Sequence, residues 1–409
     1  MIFEIYIWLI CFVSVYVSLF WMIISSKKLK KIERKDIPYI TIGVPAYNEE
    51  KSIRETLESL ANLDYPRNKL EIIVVNDGSK DKTKEIVEKF ISENKDLDIR
   101  LINQENKGKG AALNNAIKGC KGVYFGVFDA DSKASKDILK NLIKYFDSDE
   151  VGAVITAIKV HNPKTTVEKI QRLEYIFSSF IRKLMGMIGT LHTTHGVLSL
   201  FRKDIIKKLG GFDEHNLTED FEIAMRLRYH NYEVRMCEEG WCYTTVPKTF
   251  RELWVQRVRW FRGFMHNSLK YKEIVLNKKY GLLGKFQIPL ELLTLIFVFT
   301  SVSLIGFNFI KQLVNFFSRI LIYGWEVFAF ELPTIKELIL SLNWNIFFPT
   351  IISLIAGIYL YFKAHFNVEE NWKFHIVSFI YLFVYPLLRS LQWIHAFILE
   401  STNARKKWR

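Results

Sequence analysis

The sequence predicts an α/β domain with a mostly parallel sheet, fused to α-helical membrane segments. In residues 39–131, short β-rich apolar runs alternate with segments that carry apolar residues at helical spacing. Continuous apolar strands are typical of a parallel sheet covered by helices on both faces. The 409-residue chain also has long apolar stretches at both ends. We therefore expect a transmembrane helix over 1–26, a cytoplasmic α/β domain over 27–248, interfacial helices over 249–285, and transmembrane or interfacial helices with a basic tail over 286–409.

The amino-terminal apolar segment is predicted to span a membrane. Residues 2–24 contain one charged residue, Glu4. As a helix they would measure roughly 34 Å, against a hydrocarbon core of about 30 Å. Because Glu4 precedes a long apolar core and no cleavage site follows, a secretory signal is disfavoured. A basic cluster comes next: Lys27, Lys28, Lys30, Lys31, Arg34 and Lys35. The positive-inside rule then predicts a multi-pass plasma-membrane protein whose central domain is cytoplasmic.

The distribution of charge argues against a nucleic-acid-binding protein, and the cysteine spacing argues against a cysteine metal site. The net charge of +14 could suggest a nucleic-acid partner, but lysines beside membrane segments explain much of it and no nucleic-acid-binding motif is present. The four cysteines, Cys11, Cys120, Cys237 and Cys242, show no paired metal spacing. We expect free thiols and no nucleic-acid partner.

Three predicted strands of the central domain end in polar residues. These ends are Tyr47-Asn48-Glu49, Asp77-Gly78-Ser79 and Asp129-Ala130-Asp131. The predicted helices between them include one with Ile53, Leu57 and Leu60 on one face, one with Thr83, Ile86, Val87, Phe90 and Ile91, and a short one after Lys109. In parallel sheets, ligands bind beyond the carboxyl ends of the strands. The three polar ends should therefore meet at one edge.

The residues at this edge suit a bound nucleotide diphosphate. Asp129 and Asp131 are two residues apart, so one or both carboxylates can reach a divalent cation that bridges the phosphates. Lys107 and Lys109 lie in a glycine-containing loop that could bring cations and backbone amides to phosphates. The alternatives are a solvated turn for the acids, a capping loop for Asp77 and an ordinary loop for the lysines.

A second acidic pair, Glu219-Asp220, follows Thr218 at the start of a predicted helix. Asp220 could accept the proton of an acceptor hydroxyl, with the charge of Glu219 beside it. The alternative is acidic helix capping, with Thr218 as the N-cap. Histidine contributes less, because His192 and His195 lack metal-ligand spacing. We expect a structural or acceptor-pocket role for His195.

A further helix is predicted over residues 250–271. Gln256, Arg259, Trp260 and Gly263 fall on one face of it. Arg259 offers a planar cation to an oxygen-rich leaving group, and Trp260 offers a flat surface on which a sugar can stack. The helix also carries aromatic and basic residues typical of a membrane interface, namely Trp254, Arg257, Phe261, Arg262, Phe264 and Lys270.

The carboxyl-terminal third contains four apolar stretches, at 288–310, 313–330, 346–362 and 374–398. The chain ends in the basic run 405–409, which predicts a cytoplasmic end. With the amino terminus outside, the number of spans is then odd. We expect five spans, or three if 313–330 and 346–362 are interfacial or re-entrant.

Taken in order, these motifs resemble the membrane-integrated family 2 glycosyltransferases, the inverting group that includes cellulose, chitin, hyaluronan and poly-N-acetylglucosamine synthases. The matching stretches are PAYNEE, VVNDGSKDKT, NKGKGAALN, DAD, GGFDE, TED and QRVRW. The resemblance implies a GT-A-type, Rossmann-like domain. Two differences stand out: HTTHGVLSLFR lacks the Cys- or Ser-containing version found in several synthases, and no cyclic-dinucleotide domain is recognisable after the membrane part.

The resemblance also implies roles for individual residues. Tyr47, Glu49 and Asp77 would contact the nucleoside. Asp131, helped by Asp129, would hold Mg²⁺ or Mn²⁺ on the diphosphate, and Asp220 would be the general base. Gln256, Arg259 and Trp260 match the family's Gln-x-x-Arg-Trp motif, which binds the diphosphate and the terminal sugar of the acceptor.

The implied activity is transfer of a hexose or N-acetylhexosamine from a UDP-sugar to a growing polysaccharide, processively and coupled to secretion across the lipid bilayer. The main alternative is transfer of a single sugar to a polyprenyl phosphate or another lipid acceptor. An inactive translocation or scaffold subunit is a third possibility, which the four intact acids Asp77, Asp129, Asp131 and Asp220 disfavour.

Overall fold

The computed structural model describes residues 2–27, 36–324, 334–367, 376–402 and 404. The described residues form two compact units. One contains those of the ranges 1–27 and 290–367, and the other contains those of 28–289 and 368–409. The predicted basic cluster beyond Lys27 and the basic run 405–409 lie outside the described residues.

The larger unit is built on eight strands. They are β1 (Ile40–Ala46), β2 (Leu70–Asp77), β3 (Asp98–Gln104), β4 (Tyr124–Phe128), β5 (Ser132–Ala134), β6 (Val151–Val160), β7 (Val197–Arg202) and β8 (Glu233–Thr244). Their order in the sheet is β3, β2, β1, β4, β7, β6, β8, β5.

The sheet is parallel in its first half and mixed in its second. β1 to β4 pair in parallel, as predicted from the alternating pattern. β7 runs antiparallel between β4 and β6, and β5 runs antiparallel to β8, whereas β6 and β8 are parallel. The predicted mostly parallel sheet is thus confirmed for the half that follows the βα alternation, and the complete sheet is mixed.

Fourteen α-helices are described. They are α1 (Ile2–Ser25), α2 (Ile53–Ala61), α3 (Thr83–Glu93), α4 (Lys109–Lys118), α5 (Ile138–Lys144), α6 (Thr166–Met187), α7 (Lys203–Lys208), α8 (Glu219–Tyr229), α9 (Phe250–Lys270), α10 (Ile288–Tyr323), α11 (Ile335–Ser341), α12 (Trp344–Asn367), α13 (Ile376–Phe379) and α14 (Tyr385–Ser401). A π-helical segment, Ile380–Val384, joins the last two, so residues 376–401 form one helix, called the last helix below.

The predicted apolar faces cover the sheet. Ile53, Leu57 and Leu60 of α2 are buried in the main hydrophobic core, which also includes the apolar residues of β1 and β2. In α3, Val87 and Phe90 are buried in the same core, while Ile86 and Ile91 pack against its edge. Helical spacing in the sequence therefore predicted the correct faces.

The starts of α6 and α9 are fixed by capping boxes. The Thr165 hydroxyl accepts from the amide of Glu168, and the Thr249 hydroxyl accepts from the amide of Glu252. Each glutamate in turn accepts from the backbone of its N-cap residue, which satisfies amides that the helix leaves unpaired. Thr218 holds the N-cap position of α8 as predicted, but its side chain makes no capping bond.

Four described helices are long and apolar enough to cross a membrane: Phe3–Ser25, Leu283–Tyr323, Trp344–Asn367 and Ile376–Ser401. Between 6% and 22% of the residues in their apolar windows are buried within the protein, as expected of surfaces that face lipid. The chain is a membrane protein. The predicted stretches at 288–310 and 313–330 are not separate, because α10 continues without a break to Tyr323. The described residues thus contain four such helices, and the number of membrane spans, five or three, stays a prediction.

The last helix belongs to the larger unit and packs on α9. Phe261 stacks on Trp393 with ring centroids 4.0 Å apart. Two arginines that predicted an interfacial position for α9 are paired inside the protein instead. Arg257 is fully buried, and Arg262 donates to Glu400 of the last helix at 2.9 Å. The last helix therefore lies with α9 in the larger unit, and the predicted segment bounds stay a prediction.

All four cysteines are described, and each is a buried free thiol, as predicted. Burial raises the pKa of the Cys120, Cys237 and Cys242 thiols above the ordinary value.

Candidate active site

A cavity of ≈ 1010 Å³ opens at the carboxyl ends of β1, β2 and β4. Eight of the predicted site residues line it: Tyr47, Glu49, Asp77, Lys107, Lys109, Asp129, Asp131 and Arg259. The convergence of three strand ends at one edge is therefore observed. Asn106 of the NKGKGAALN stretch and Glu214 of the GGFDE stretch also line the cavity. His215 and Leu217 line it as well, and they lie outside the motifs quoted from the sequence.

Asp77 shapes the loop that carries the two lysines. Its carboxylate accepts hydrogen bonds from the amides of Lys107 and Gly108, at 2.8 and 2.9 Å, and from the side chain of Gln104 at 2.8 Å. Gly108 has a φ of 92°, a conformation that glycine adopts without strain. Asp77 therefore holds the 106–109 loop at the edge of the cavity while also facing it.

Asp131 lies in an environment that favours a nearby cation. Its carboxylate accepts from the hydroxyls of Thr245, at 2.8 Å, and Ser132, at 3.2 Å. Burial, followed by the negative charge of Asp129, raises the pKa of Asp131 to about 6. A divalent ion between the two carboxylates would relieve this repulsion. Within the described ranges no group of three His, Cys, Asp or Glu side chains could hold a metal, so an ion here would take further ligands from phosphate and water.

Lys109 links the two acidic motifs. Its Nζ lies 2.5 Å from Asp129 Oδ1 and 3.3 Å from Glu219 Oε1. Burial disfavours the ammonium, but Asp129, Glu219 and Asp220 outweigh it and raise the pKa of Lys109. The ammonium therefore stays charged between acids that are about ninety residues apart in the sequence.

Gly196 makes room for this ion pair. A Cβ atom at position 196 would lie 2.2 Å from Asp129 Oδ2 and 2.4 Å from Lys109 Nζ. The backbone of Gly196 also accepts a hydrogen bond from the amide of Asp129 at 2.8 Å. Sequence reasoning missed this residue, although the HTTHG stretch that contains it had been noted as a difference from better-known synthases.

Glu219 and Asp220 lie at the start of α8, beside the cavity rather than among its lining residues. The hydroxyl of Thr194 donates to the carbonyl oxygen of Asp220 at 2.6 Å and so fixes its backbone. Glu219 is buried. Burial, opposed by Lys109 and reinforced by Asp220, raises the pKa of Glu219 to about 7. Asp220 is half-buried, and its Oδ1 accepts a hydrogen bond from the amide of Phe221 at 2.8 Å.

Helix α9 is held against the residues that precede Asp220. A Cβ atom at Gly263 would lie 2.2 Å from the hydroxyl oxygen of Thr218, so only glycine allows this approach. Arg259 donates to the carbonyl oxygen of Leu217 at 2.8 Å and reaches the cavity. The helix face predicted from the sequence thus brings Arg259 to the cavity and places α9 beside Asp220.

Gln256 and Trp260 lie on the same helix but do not line the cavity. Both contact Arg257. Arg257 Nη1 donates to Gln256 Oε1 at 2.5 Å, and the Arg257 guanidinium lies 4.1 Å from the centre of the Trp260 ring. Both side chains are half-buried. Their predicted contacts with diphosphate and acceptor remain predictions.

His195 is structural, one of the two roles predicted for it. Its Nε2 donates to the carbonyl oxygen of Thr156 at 3.0 Å, and its amide donates to the hydroxyl of Ser199 at 3.1 Å. Burial, together with the charge of Arg182, lowers the pKa of His195 to about 3, so the ring is neutral.

Comparisons with known proteins agree with this architecture. Residues 41–210 match the family model described as "Glycosyl transferase family 2". The poly-beta-1,6-N-acetyl-D-glucosamine synthase of Staphylococcus epidermidis is 28% identical over 394 residues, which cover 92% of this chain and 89% of that protein. The synthase of the same name from Staphylococcus aureus (strain COL) is 33% identical over 266 residues, which cover 62% of this chain and 64% of the relative.

A solved structure shows the same fold. The mannosyltransferase PcManGT from Pyrobaculum calidifontis, in complex with GDP-Man and Mn²⁺, superposes with a TM-score of 0.61 at 21% identity, over 90% of this chain and 99% of that one. The predicted GT-A-type fold is confirmed. Residues 41–210 thus match glycosyl transferase family 2, and with the similar synthases and the apolar helices the chain is similar to the membrane-integrated members of that family.

Proposed function

We propose that the chain is an inverting hexosyltransferase that extends a polysaccharide with a sugar taken from a UDP-sugar. The observation that carries this proposal is the single cavity in which Asp77, Asp131 and Arg259 meet, with Asp220 beside it. The similar staphylococcal proteins are named as synthases of poly-β-1,6-N-acetyl-D-glucosamine, and they support an N-acetylhexosamine as the transferred sugar.

The donor would lie across the cavity from β1 to α9. Tyr47 and Glu49 would contact the nucleoside at the end of β1, and Asp77 would hold the loop against it. Lys107 and Lys109 would provide positive charge near the phosphates, and Arg259, which also lines the cavity, would provide a planar guanidinium. Gln256, one turn before Arg259, would assist at the diphosphate.

Asp129 and Asp131 would hold Mg²⁺ or Mn²⁺ at the diphosphate. The raised pKa of Asp131 beside Asp129 indicates that the two carboxylates repel each other, and a hard divalent cation would offset this repulsion. When bound, the ion supplies positive charge that stabilises the departing diphosphate.

The side chain of Asp220 would act as the general base. It accepts the proton of an acceptor hydroxyl while that oxygen attacks the anomeric carbon and the bond from this carbon to the diphosphate breaks. One displacement from the face opposite the leaving group inverts the configuration. Lys109 lies close to Asp129 and to the Glu219-Asp220 pair. Its positive charge would reduce the repulsion between these carboxylates and the diphosphate. Trp260 would hold the terminal sugar of the acceptor by stacking.

Repeated addition with export of the product is the third part of the proposal. The last helix packs directly on α9, which carries the acceptor motif, so the site lies next to an apolar helix. We propose a plasma-membrane location with the transferase domain on the cytoplasmic side, where UDP-sugars are made, and a growing glycan that leaves through the bilayer.

One assay tests the proposal as a whole. The full-length protein in nanodiscs is incubated with a panel of labelled UDP-sugars, with and without Mn²⁺ or Mg²⁺, and the products are sized. We expect a metal-dependent polymer from UDP-N-acetylglucosamine. A single-sugar adduct on a lipid would contradict polymerisation, and turnover of none of the sugars would contradict the enzymatic function.

A further inference from the structure

A buried carboxylate connects three helices behind the Gln-x-x-Arg-Trp motif. Glu174, on α6, is 6% exposed. Its Oε2 accepts from Arg257 Nη2 at 2.7 Å and from the Tyr385 hydroxyl at 2.9 Å, and its Oε1 accepts from Arg389 Nη1 at 2.8 Å. Arg257 lies on α9, and the other two donors lie on the last helix. Each oxygen of the carboxylate therefore has a partner, as a buried charge requires.

The ion pair between Glu174 and Arg257 is permanent over the working pH range. Burial opposes both charges, but the attraction of Arg257 and then Arg389 lowers the pKa of Glu174. The attraction of Glu174 raises the pKa of Arg257 in the same way. Arg257 is also among the largest fully buried side chains in the described part of the protein.

The Arg257 side chain also contacts two residues of the Gln-x-x-Arg-Trp motif, Gln256 and Trp260. It donates to Gln256 Oε1 and covers the ring of Trp260. We call Trp260, which would hold the terminal sugar of the acceptor, the acceptor platform. We propose that Arg257, held by Glu174, is a positioning residue that fixes the orientation of the acceptor platform, so that its loss impairs use of the acceptor more than use of the donor. This inference rests on the proposed transferase function.

The physical reason is the rigidity that stacking demands. A sugar binds to an aromatic ring only while the ring keeps its orientation, and a half-exposed tryptophan loses entropy when it is fixed on binding. A planar guanidinium against the ring, itself held by a buried carboxylate, provides that order in advance. A small displacement of a positioned group can lower a rate by about a hundredfold.

The same cluster attaches the platform to the last helix. The Arg389 guanidinium lies 5.4 Å from the centre of the Phe261 ring, and Phe261 stacks on Trp393. The acceptor platform is therefore attached, through Glu174, to a helix apolar enough to lie in the membrane.

Arg262 provides a matched control on the same helix. It is 6% exposed, and it donates to Glu400 at 2.9 Å and to the carbonyl oxygen of Ala404 at 2.7 Å. It therefore links α9 to the carboxyl-terminal end of the last helix by a partly buried ion pair. Arg257 pairs with α6 instead, about one and a half turns earlier on α9. Substitution of Arg262 tests the general effect of breaking such a link.

The experiment compares Arg257→Met, Glu174→Gln and Arg262→Met in the full-length protein in nanodiscs. Two rates are measured with UDP-N-acetylglucosamine: sugar incorporation into an N-acetylglucosamine oligosaccharide, and UDP release without acceptor. We expect Arg257→Met to lower the ratio of incorporation to hydrolysis by about ten- to a hundredfold and to raise the KM for acceptor. The KM for donor should change by less than about threefold, because the residues that line the cavity are unchanged.

Arg262→Met should leave the ratio unchanged even if total activity falls. Glu174→Gln should lower it less than Arg257→Met, because the amide still accepts a hydrogen bond. Arg257→Lys keeps the charge but loses the planar stacking surface, so its ratio should fall between wild type and Arg257→Met.

Equal ratios in Arg257→Met and Arg262→Met would overturn the proposal. Folding of each variant is checked by calorimetric measurement of UDP binding. If Arg257→Met does not bind UDP, the ratios of incorporation to hydrolysis are compared among wild type, Arg257→Lys and Glu174→Gln instead. Equal ratios in these three proteins would also overturn the proposal. Failure of the proposed function has a different signature, since wild-type protein would then show neither hydrolysis nor incorporation.

Discussion

The two halves of the candidate site are constructed differently. On the donor side, the residues stand at the ends of adjacent strands and face an open cavity, and a loop held by Asp77 completes it. On the acceptor side, the motif residues lie on α9, and behind them Glu174 of α6 pairs with Arg257 of α9 and with Arg389 of the last helix. The donor half thus depends on sheet topology, and the acceptor half depends on side-chain contacts between helices. Substitutions in the two halves should therefore have separable effects.

The largest expected effect lies where the two halves meet. Asp220→Asn removes the proposed base while nearly preserving shape, and sugar transfer should fall by about a thousandfold or more, within the range of general-base effects. UDP binding, measured by calorimetry, should stay within about threefold of wild type, since the donor half is intact. Transfer at the wild-type rate would remove Asp220 from the mechanism, and loss of UDP binding would show that the halves are not separable.

A somewhat smaller effect is expected from the donor half. Asp131→Asn, or removal of metal with a chelator, should lower transfer by about a hundredfold or more, because the developing charge on the diphosphate loses its counter-ion. Mn²⁺ binding in the presence of UDP, followed by electron paramagnetic resonance, should weaken in the variant. Asp137→Asn, at the N-cap of α5, is the control. Unaltered Mn²⁺ binding in Asp131→Asn would contradict the proposed ligand role.

The acceptor half should respond selectively. Trp260→Ala should reduce chain extension by about tenfold or more while hydrolysis of the donor largely survives, because loss of one stacking surface is typically worth about 1–2 kcal/mol. Trp254→Ala on the same helix is the control, since its ring donates to His395 of the last helix at 2.9 Å. Product size and UDP release are measured together, and equal loss of both in Trp260→Ala would argue against an acceptor platform.

The smallest effect concerns stability. The pKa of Glu219 is raised to about 7, above an unfolded value of about 4.3. The folded state therefore binds more protons in this window, and the free energy of unfolding decreases as pH rises from about 4.3 to about 7. Glu219→Gln should flatten this decrease in Tm between pH 5 and 7 in metal-free protein. Parallel Tm profiles for wild type and Glu219→Gln would contradict the raised pKa.

Sequence patterns predicted the donor half well and the acceptor half only in part. Alternation of strands and helices was enough to bring Tyr47, Asp77 and Asp131 to one cavity. Helical spacing also placed Arg259, Trp260 and Gly263 on one face, but it could not identify what lies behind them. Arg257 was interpreted as interfacial because its partner, Glu174, is 83 residues away, and Arg389 is 215 residues from Glu174. Pairings over such separations leave no local pattern.

Two other features required the three-dimensional structure for the same reason. The need for glycine at position 196 follows from the Lys109–Asp129 ion pair, whose partners lie on different segments from Gly196. The antiparallel placement of β7 between β4 and β6 follows from long-range strand pairing, which apolar content does not encode. The continuity of α10 was missed because a dip in hydrophobicity between 310 and 313 does not end a helix.

The burial of all four cysteine thiols makes this protein suitable for site-specific labelling. Because Cys11, Cys120, Cys237 and Cys242 are inaccessible, maleimide reagents should find little to modify in the wild-type chain. A cysteine introduced at an exposed position, such as Val255→Cys on α9, should then be labelled selectively. A fluorophore attached at position 255 would report movements of α9 during successive sugar additions, and the natural cysteines would not have to be removed first.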